Sequence, residues 1–267
     1  FVVETLMTLT EGRAAVLAIK SVSNKPIICT FTFENSGRTI GGTSAAAALI
    51  TLQALGVSAF GANCSSGPDA VAKLIESIFP YAKVPLAAKA NAGLPCTCPD
   101  GSVKYNLTPE EFDSHTEQLI KNGVRFIGGC CGTDERHIAA VAASANRFTA
   151  SLTKAPVSMS ENFLATERDI FPLPKKFEVN PSGNIADTLM SVDPECDILA
   201  VEINSDSDAA EFFENSYFVF CPICFKAKTP ELLDCLLYNY NGRAAAICTA
   251  AEQEEIAKKY GAIIIKR

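Results

Sequence analysis

The sequence contains no tryptophan and only two histidines, His115 and His137, among its 267 residues. Histidine is the commonest general base in enzymes and the commonest metal ligand, so its scarcity argues against chemistry that needs a histidine base. Both histidines lie in stretches with an amphipathic helical pattern, and we expect both to be exposed and non-catalytic. A metal site in this chain must therefore use thiolates or oxygen atoms.

Long apolar runs and clusters of basic residues are missing as well. No run approaches the ~20 residues that a membrane-spanning helix needs, and no secretory signal opens the sequence. The net charge is −7, with 23 basic and 30 acidic residues, and no segment concentrates lysine and arginine. Such a chain attracts neither nucleic acid nor an anionic membrane surface. The composition predicts a cytoplasmic protein without nucleic-acid or membrane partners.

Cysteine, by contrast, is abundant, with 11 residues. In a cytoplasmic protein we expect reduced thiols, some buried as small apolar residues and some bound to metal. Cys221 and Cys224 form a CxxC motif, which occurs in redox pairs and in zinc sites. Because the motif lies within a predicted strand rather than at a helix N-terminus, we interpret it as core packing. Cys96 and Cys98 fall in a proline-rich stretch and are interpreted as exposed loop residues.

Short apolar runs alternate with helical segments over residues 1–148. Five of these runs predict strands, and they are uninterrupted, which is typical of a parallel sheet covered on both faces. Capping boxes at Thr8–Glu11 and Thr108–Glu111, and a cap at Thr133, mark helix starts between and after them. Five consecutive strand–helix units predict a parallel α/β architecture, either a barrel or an open sheet. The predicted strands are Phe1–Thr5, Pro26–Phe33, Ala59–Cys64, Pro85–Ala90 and Arg125–Cys131.

Prolines interrupt this pattern over residues 149–180, which we interpret as a linker. Alternation resumes over residues 181–267, which we interpret as a smaller α/β domain of unknown role. Eight strand–helix units close a barrel and only five are seen, so we expect ~100 residues or more upstream of Phe1. The strands predicted in the second domain are Asp197–Ile203, Tyr217–Phe225, Arg243–Cys248 and Ala262–Lys266.

Three cysteines of the first domain lie at the ends of predicted strands: Cys64 ends one strand, and Cys130 and Cys131 end another. Active sites of parallel α/β folds lie at the carboxyl ends of the strands, so we expect these three sulfurs to share one site. Three thiolates with a fourth position open are typical of a catalytic zinc site. On these residues alone, three small buried thiols remain the alternative interpretation.

Two segments, Gly61-Ala-Asn-Cys-Ser-Ser-Gly-Pro68 and Gly128-Gly-Cys-Cys-Gly-Thr133, carry a resemblance to a known family. In this order they resemble the motifs of the homocysteine S-methyltransferase family of zinc enzymes. Asn91-Ala-Gly-Leu-Pro95 is similar to the homocysteine-binding module of cobalamin-dependent methionine synthase, more than to the branches that use betaine or S-methylmethionine. The resemblance covers residues 1–147. It implies a (β/α)8 barrel of the TIM type, of which this chain holds the last five units.

The resemblance also implies roles for individual residues. Cys64, Cys130 and Cys131 match the zinc ligands of the family. Asn91 matches an amide that fills the fourth zinc position until substrate displaces it, and Glu4 matches an acidic residue that holds the amino group of homocysteine. An Asp-Gly segment that helps to bind the amino acid in the family has no counterpart in this sequence.

The implied function is a zinc-dependent methyltransferase that activates homocysteine as a thiolate and yields methionine. The implied donor is a methylated corrinoid, methylcobalamin, on a separate domain or chain, with corrinoid-carrying and methyltetrahydrofolate-binding domains or proteins as partners. One alternative is a homocysteine methyltransferase that uses S-methylmethionine or betaine. A second is a non-catalytic or regulatory zinc-binding remnant of the family. Thiol activation by a metal needs no protein base, which agrees with the scarcity of histidine.

Overall fold

The structure is a computed structural model that describes residues 1–64, 66–148, 158–180, 184–193 and 196–266. The chain divides into two compact units, Phe1–Gln53 with Val57–Ser160, and Ala54–Gly56 with Glu161–Arg267. The main sheet of each unit is five-stranded, and all its strand pairs are parallel. Within the described ranges, no helix has the length and apolar character needed to cross a membrane.

The first unit follows the strand–helix alternation that the sequence predicts. Its sheet has the order β1–β2–β3–β4–β7, and β1 and β7 form the two edges of the described sheet. The strands are β1 (Val2–Leu6), β2 (Ile28–Phe31), β3 (Ala59–Asn63), β4 (Leu86–Ala90) and β7 (Val124–Gly129), with a small hairpin of β5 (Cys96–Thr97) and β6 (Val103–Lys104) after β4. The helices are α1 (Leu9–Val22), α2 (Ala45–Ala54), α3 (Pro68–Ile78), α4 (Pro109–Asp113), α5 (Thr116–Lys121) and α6 (Glu135–Phe148).

Helix caps explain most helix starts in this unit. The Thr8 hydroxyl accepts from the backbone N–H of Glu11, and Thr108 and Glu111 form a reciprocal capping box. The cap predicted at Thr133 is wrong, because that hydroxyl donates instead to the carbonyl oxygen of Cys130, at 2.7 Å. The Asp134 carboxylate accepts from the first backbone N–H groups of α6 in its place.

The register of the central strands places three strand ends at one level. All five residues of β3 are buried, as expected for a strand covered on both faces. Asn63, the last residue of β3, lies opposite Lys89 of β4, and Lys89 lies opposite Gly128 of β7. The residues that follow these strands therefore meet at the carboxyl edge of the sheet.

The second unit is also built on a parallel sheet, in the order β10–β11–β12–β13–β14. One face of this sheet carries an apolar cluster that includes Leu164, Ala200, Cys224 and Ile247. The strands are β10 (Val179–Asn180), β11 (Leu199–Ile203), β12 (Ile223–Ala227), β13 (Ala245–Cys248) and β14 (Ile263–Lys266). The helices are α7 (Ile185–Met190), α8 (Asp206–Asn215), α9 (Pro230–Asn239) and α10 (Ala251–Lys259).

The stretch interpreted as a linker contains regular structure in its described part. Residues 149–157 lie outside the described ranges, whereas residues 158–180 include an antiparallel hairpin of β8 (Phe163–Ala165) and β9 (Ile170–Pro172), followed by β10. Pro172 ends β9, a position where a strand tolerates a residue without an N–H. Ala165 exchanges two backbone hydrogen bonds with Arg243, of 3.0 and 2.9 Å. Pro172 therefore marks the end of a short strand here.

The strand predicted at Tyr217–Phe225 starts too early. Residues Ser216–Phe218 form a 3-10 turn, and β12 begins only at Ile223. Tyr217 and Phe220 are exposed aromatic residues, so the apolar run in the sequence is longer than the segment that is buried in the core. Apolar character alone does not distinguish a buried strand from an exposed aromatic loop.

Replacement of Gly61, in β3, tests how closely the backbones of β3 and β4 approach each other. A Cβ at this position would lie 1.8 Å from the carbonyl oxygen of Ala87, so Gly61→Ala is expected to lower the free energy of unfolding by about 3 kcal/mol or more. Gly128→Ala is the matched control, because its Cβ would meet only Lys89 Cγ, at 3.6 Å. Urea unfolding followed by circular dichroism measures both. Equal midpoints for the two variants would contradict the close approach.

Candidate metal centre

Cys64 lies directly after β3 and has a left-handed backbone, with a φ of 64°. Its N–H donates to the carbonyl oxygen of Lys89 (3.0 Å), and its own carbonyl accepts from the N–H of Ser66 (2.7 Å). A non-glycine residue in this conformation costs on the order of 1–2 kcal/mol, which the surrounding contacts must offset. The chain therefore leaves the sheet at Cys64 and turns toward α3.

Cys130 and Cys131 follow β7, and their backbone N–H groups are bound by residues at the end of β4 and directly after it. The N–H of Cys130 donates to the carbonyl oxygen of Ala90 (2.7 Å), and the N–H of Cys131 donates to Asn91 Oδ1 (3.0 Å). The carbonyl of Cys130 also accepts from the Thr133 hydroxyl. These contacts fix the backbone of both cysteines at the same edge of the sheet as Cys64.

The sulfur atoms of Cys64, Cys130 and Cys131 all lie within 4.8 Å of one another. The Sγ atoms of Cys64 and Cys131 are 3.8 Å apart. In a tetrahedral zinc site with Zn–S bonds of about 2.3 Å, two sulfurs lie about 3.8 Å apart. Within the described part of the chain, this is the one cluster of three metal-ligating side chains. The donor set and its spacing fit Zn²⁺ with one coordination position left for another ligand.

The three thiols oppose one another's ionisation. Burial raises the pKa of the Cys130 thiol, and negative charge on Cys64 and Cys131 raises it further. The pKa of the Tyr105 phenol is also raised, first by burial and then by its hydrogen bond with Cys131 and the charges of the three cysteines. A cation among the sulfurs reverses this effect, because it stabilises the thiolate form.

Asn91 and Glu4, the other two residues that the sequence predicts for the site, lie on neighbouring elements. Asn91 is buried, and among the described residues its Oδ1 accepts one hydrogen bond, from Cys131, so that oxygen has a second lone pair with which it can bind another partner. Glu4 lies on β1, and its half-exposed carboxylate forms an ion pair with the Lys89 ammonium group of β4. Glu4 therefore already has a cationic partner.

Tyr105 is a residue of this centre that the sequence analysis does not identify. Its ring packs against Gly132, where an added Cβ would lie 2.3 Å from Tyr105 Cγ. Gly132 also has a φ of 78°, so both the backbone and the tyrosine require glycine here. The Tyr105 phenol lies close enough to the Cys131 thiol for the two groups to interact, and this interaction contributes to the raised pKa of Tyr105. A tyrosine between β6 and α4 carries no local signal for this role, because only the fold brings that loop to the cysteines.

The prediction that His137 is exposed is wrong. His137 is 5% exposed, and its Nδ1 lies 2.7 Å from Asp134 Oδ1. Its Nε2 lies 3.0 Å from the carbonyl oxygen of Leu107, and its ring packs edge-on against Phe112. The histidine therefore anchors the loop that carries Tyr105. Its burial follows from this long-range contact, which helical periodicity does not reveal.

The prediction of an exposed residue is wrong for Cys98, whereas the predicted core positions of Cys221 and Cys224 are confirmed. Cys221 and Cys224 are buried, and burial raises the pKa of the Cys221 thiol to about 12, with a further contribution from neighbouring Cys196. Such a thiol is a poor nucleophile at neutral pH, which supports the interpretation as core packing. Cys96 is exposed and Cys98 half-buried in the segment after β4.

The sequence was compared with protein families and known proteins. The model of a family described as homocysteine S-methyltransferase matches residues 1–145. Methionine synthase of Mycobacterium tuberculosis is 33% identical over 148 residues, which are 53% of this chain, and that of Mycobacterium leprae is 33% identical over 151 residues, which are 54% of it. The chain spans only 12% of the length of each of these two relatives.

Among solved structures, the apo form of the homocysteine methyltransferase MmuM from Escherichia coli is similar, at 23% identity and a TM-score of 0.44. The similar part covers 53% of this chain and 48% of that one.

Replacement of one thiol tests the metal centre. The purified chain is expected to hold one zinc ion, and Cys130→Ser is expected to lose most of it, because serine replaces a soft thiolate by a weakly binding hydroxyl. Cys96→Ser is the matched control, since Cys96 is exposed and outside the cluster. Elemental analysis after dialysis gives the metal content. Unchanged stoichiometric zinc in the Cys130→Ser variant would contradict the assignment.

The raised pKa of Cys130 predicts how the metal-free chain responds to pH. The folded chain holds this proton more tightly than the unfolded chain, so stability falls as the pH rises past the ordinary thiol value of 9.0. Alkylation of Cys130 by iodoacetamide, which needs the thiolate, is expected to be slow at neutral pH and fast only above that value. Peptide mass spectrometry over a pH series measures it. Fast alkylation at neutral pH is the contrary result.

Proposed function

The chain belongs to the homocysteine S-methyltransferase family, and from this we propose that it provides the zinc and homocysteine site of a methyltransferase that forms methionine. The observation that carries the proposal is the cluster of Cys64, Cys130 and Cys131, whose sulfurs lie within 4.8 Å of one another, with a Cys64–Cys131 distance that fits Zn²⁺. These three residues would hold the ion. When bound, Zn²⁺ lowers the pKa of a coordinated thiol, so that homocysteine sulfur is a thiolate nucleophile at neutral pH.

The residues around the cluster would bind and orient the amino acid. We propose that the Glu4 carboxylate holds the ammonium group of homocysteine, which must then compete with Lys89 for that carboxylate. The second lone pair of Asn91 Oδ1 would serve as the fourth zinc ligand before substrate binds. Tyr105 and its loop would cover one side of the cluster and restrict the access of water.

The chemical step needs no base from the protein once the thiol is deprotonated. The homocysteine sulfur forms a new bond to the methyl carbon, and the bond between that carbon and its leaving group breaks, with the electron pair going to the leaving group. The chain contributes by orienting the sulfur and amino group, since correct placement of reacting atoms lowers the barrier by several kcal/mol. His137 takes no part, because both of its ring nitrogens have partners away from the cluster.

We propose that the methyl donor is a methylated corrinoid carried on a separate domain or chain. The Asn91–Pro95 segment, which is similar to the cobalamin-dependent branch, supports this donor. The relatives named methionine synthase support methionine as the product. The partners would be corrinoid-carrying and methyltetrahydrofolate-binding domains or proteins. The working compartment would be the cytoplasm, where thiols stay reduced.

We also propose that the first unit is part of an eight-stranded (β/α)8 barrel, with residues 1–148 as the homocysteine-binding part. The support is the sequential order of five parallel strands, each followed by helix, in a chain of this family. The second unit has the same strand order, and no chemical role is proposed for it.

A comparison of methyl donors tests the proposed function. Zinc-loaded protein is expected to methylate homocysteine with methylcobalamin and to be inactive with S-methylmethionine, since the Asn91–Pro95 segment is similar to the corrinoid-using branch. The measurement is methionine formed over time with each donor at equal concentration, and Cys130→Ser is the inactive control. Activity with S-methylmethionine alone would contradict the corrinoid donor, whereas inactivity with every donor would favour a non-catalytic zinc protein.

A further inference from the structure

Asn63 is a buried amide at the end of β3, 1% exposed and next to Cys64. Its Oδ1 accepts two hydrogen bonds, from the backbone N–H of Thr5 (2.9 Å) and from the hydroxyl of Thr30 (2.7 Å). Its Nδ2 donates to the hydroxyl of Thr5, at 2.8 Å. Both lone pairs of the amide oxygen are therefore in use, and one side chain connects the carboxyl ends of β1, β2 and β3.

Asn63 lies between the two strained backbone positions of the first unit. Thr5, with a φ of 61°, and Cys64, with a φ of 64°, are the non-glycine residues with positive φ within the described ranges. A β-branched residue such as threonine is a clear outlier in this region and keeps the conformation only where its surroundings impose it. Asn63 supplies that constraint, because its amide group binds both the N–H and the hydroxyl of Thr5.

The backbone of Asn63 is itself fixed from both sides. Its carbonyl oxygen accepts from the Thr32 hydroxyl of the segment after β2 (3.1 Å), and the N–H of the next residue, Cys64, donates to Lys89 of β4 (3.0 Å). The amide group therefore cannot follow Thr5 if that residue moves. The position of Thr5, and of Glu4 directly before it, is set relative to Cys64.

We infer that Asn63 is a positioning residue that fixes the spacing between the Glu4 carboxylate and the Cys64 thiol, and thereby selects amino-acid thiols by chain length. The inference rests on the proposed function, in which the Glu4 carboxylate receives the ammonium group of homocysteine and the zinc ion held in part by Cys64 receives its thiol. When both binding groups are held at a fixed distance, an amino acid with one methylene fewer between its ammonium and thiol groups than homocysteine cannot reach both of them equally well. Cysteine is that amino acid, and the spacing that Asn63 maintains would disfavour it.

The test compares the binding of homocysteine and cysteine to the zinc-loaded full chain by calorimetry. The wild-type chain is expected to prefer homocysteine, and Asn63→Ala is expected to reduce the ratio of the two affinities roughly tenfold, since a displacement near 1 Å at a binding site has effects of this order or larger. Zinc content should stay at one ion per chain, because no metal ligand is removed. A role in stability alone would weaken both affinities equally and leave the ratio unchanged.

Two further variants keep the result interpretable. Thr5→Val removes only the hydroxyl that Asn63 Nδ2 binds, so it is expected to lower the same ratio even where Asn63→Ala does not fold, and Thr5→Ser, which keeps the hydroxyl, should preserve the ratio. Thr30→Val is the matched control, because it removes a buried hydrogen bond to the same amide oxygen without releasing Thr5. Its ratio should equal that of the wild type.

The outcomes separate the two proposals. A wild-type chain that binds neither amino acid would overturn the proposed function itself. A wild-type chain that binds both equally, or an Asn63→Ala or Thr5→Val variant that folds and keeps the full preference for homocysteine, would overturn the role of Asn63 alone.

Discussion

Backbone hydrogen bonds between β3, β4 and β7 bring residues 67 positions apart in sequence to one edge of a sheet. The same register aligns Asn63 with Lys89 and Lys89 with Gly128, so each strand ends at the same height. The cysteine cluster, the Asn91 amide and the Tyr105 loop all depend on that alignment. A shift of one residue in any of these strands would turn its side chains to the opposite face and separate the sulfurs.

Negative charge on the cysteine cluster is unfavourable without a cation. Burial and the negative charge of its neighbours raise the pKa of Cys130, so this residue is a thiol in the metal-free chain, where the proposed chemistry needs a thiolate. The left-handed backbone of Cys64 adds strain at the same place. Perturbed thiols and strained backbone positions are characteristic of functional sites, and here both occur where the family match also lies.

The two units share a strand–helix rhythm but differ in the residues that lie at their strand ends. The second unit has five parallel strands in sequential order, as the first unit does. The two cysteines of its CxxC motif are both buried. Cys221 lies just before the amino end of β12 and Cys224 lies within β12, so neither follows the carboxyl end of that strand. The difference between the units lies in which residues stand at the strand ends, as expected when function depends on sites and not on folds.

The five strands of the first unit, the parallel α/β class and the convergence of three cysteines could all be predicted from the amino-acid sequence alone. These follow from local apolar runs and from the rule that parallel strands end at one edge. The burial of His137, the packing of Tyr105 against Gly132 and the hydrogen bonds between Asn63 and Thr5 follow only from the tertiary structure. These contacts join residues 27 to 58 positions apart. Local periodicity reports which face a residue prefers, whereas its partner is chosen by the packing of distant segments.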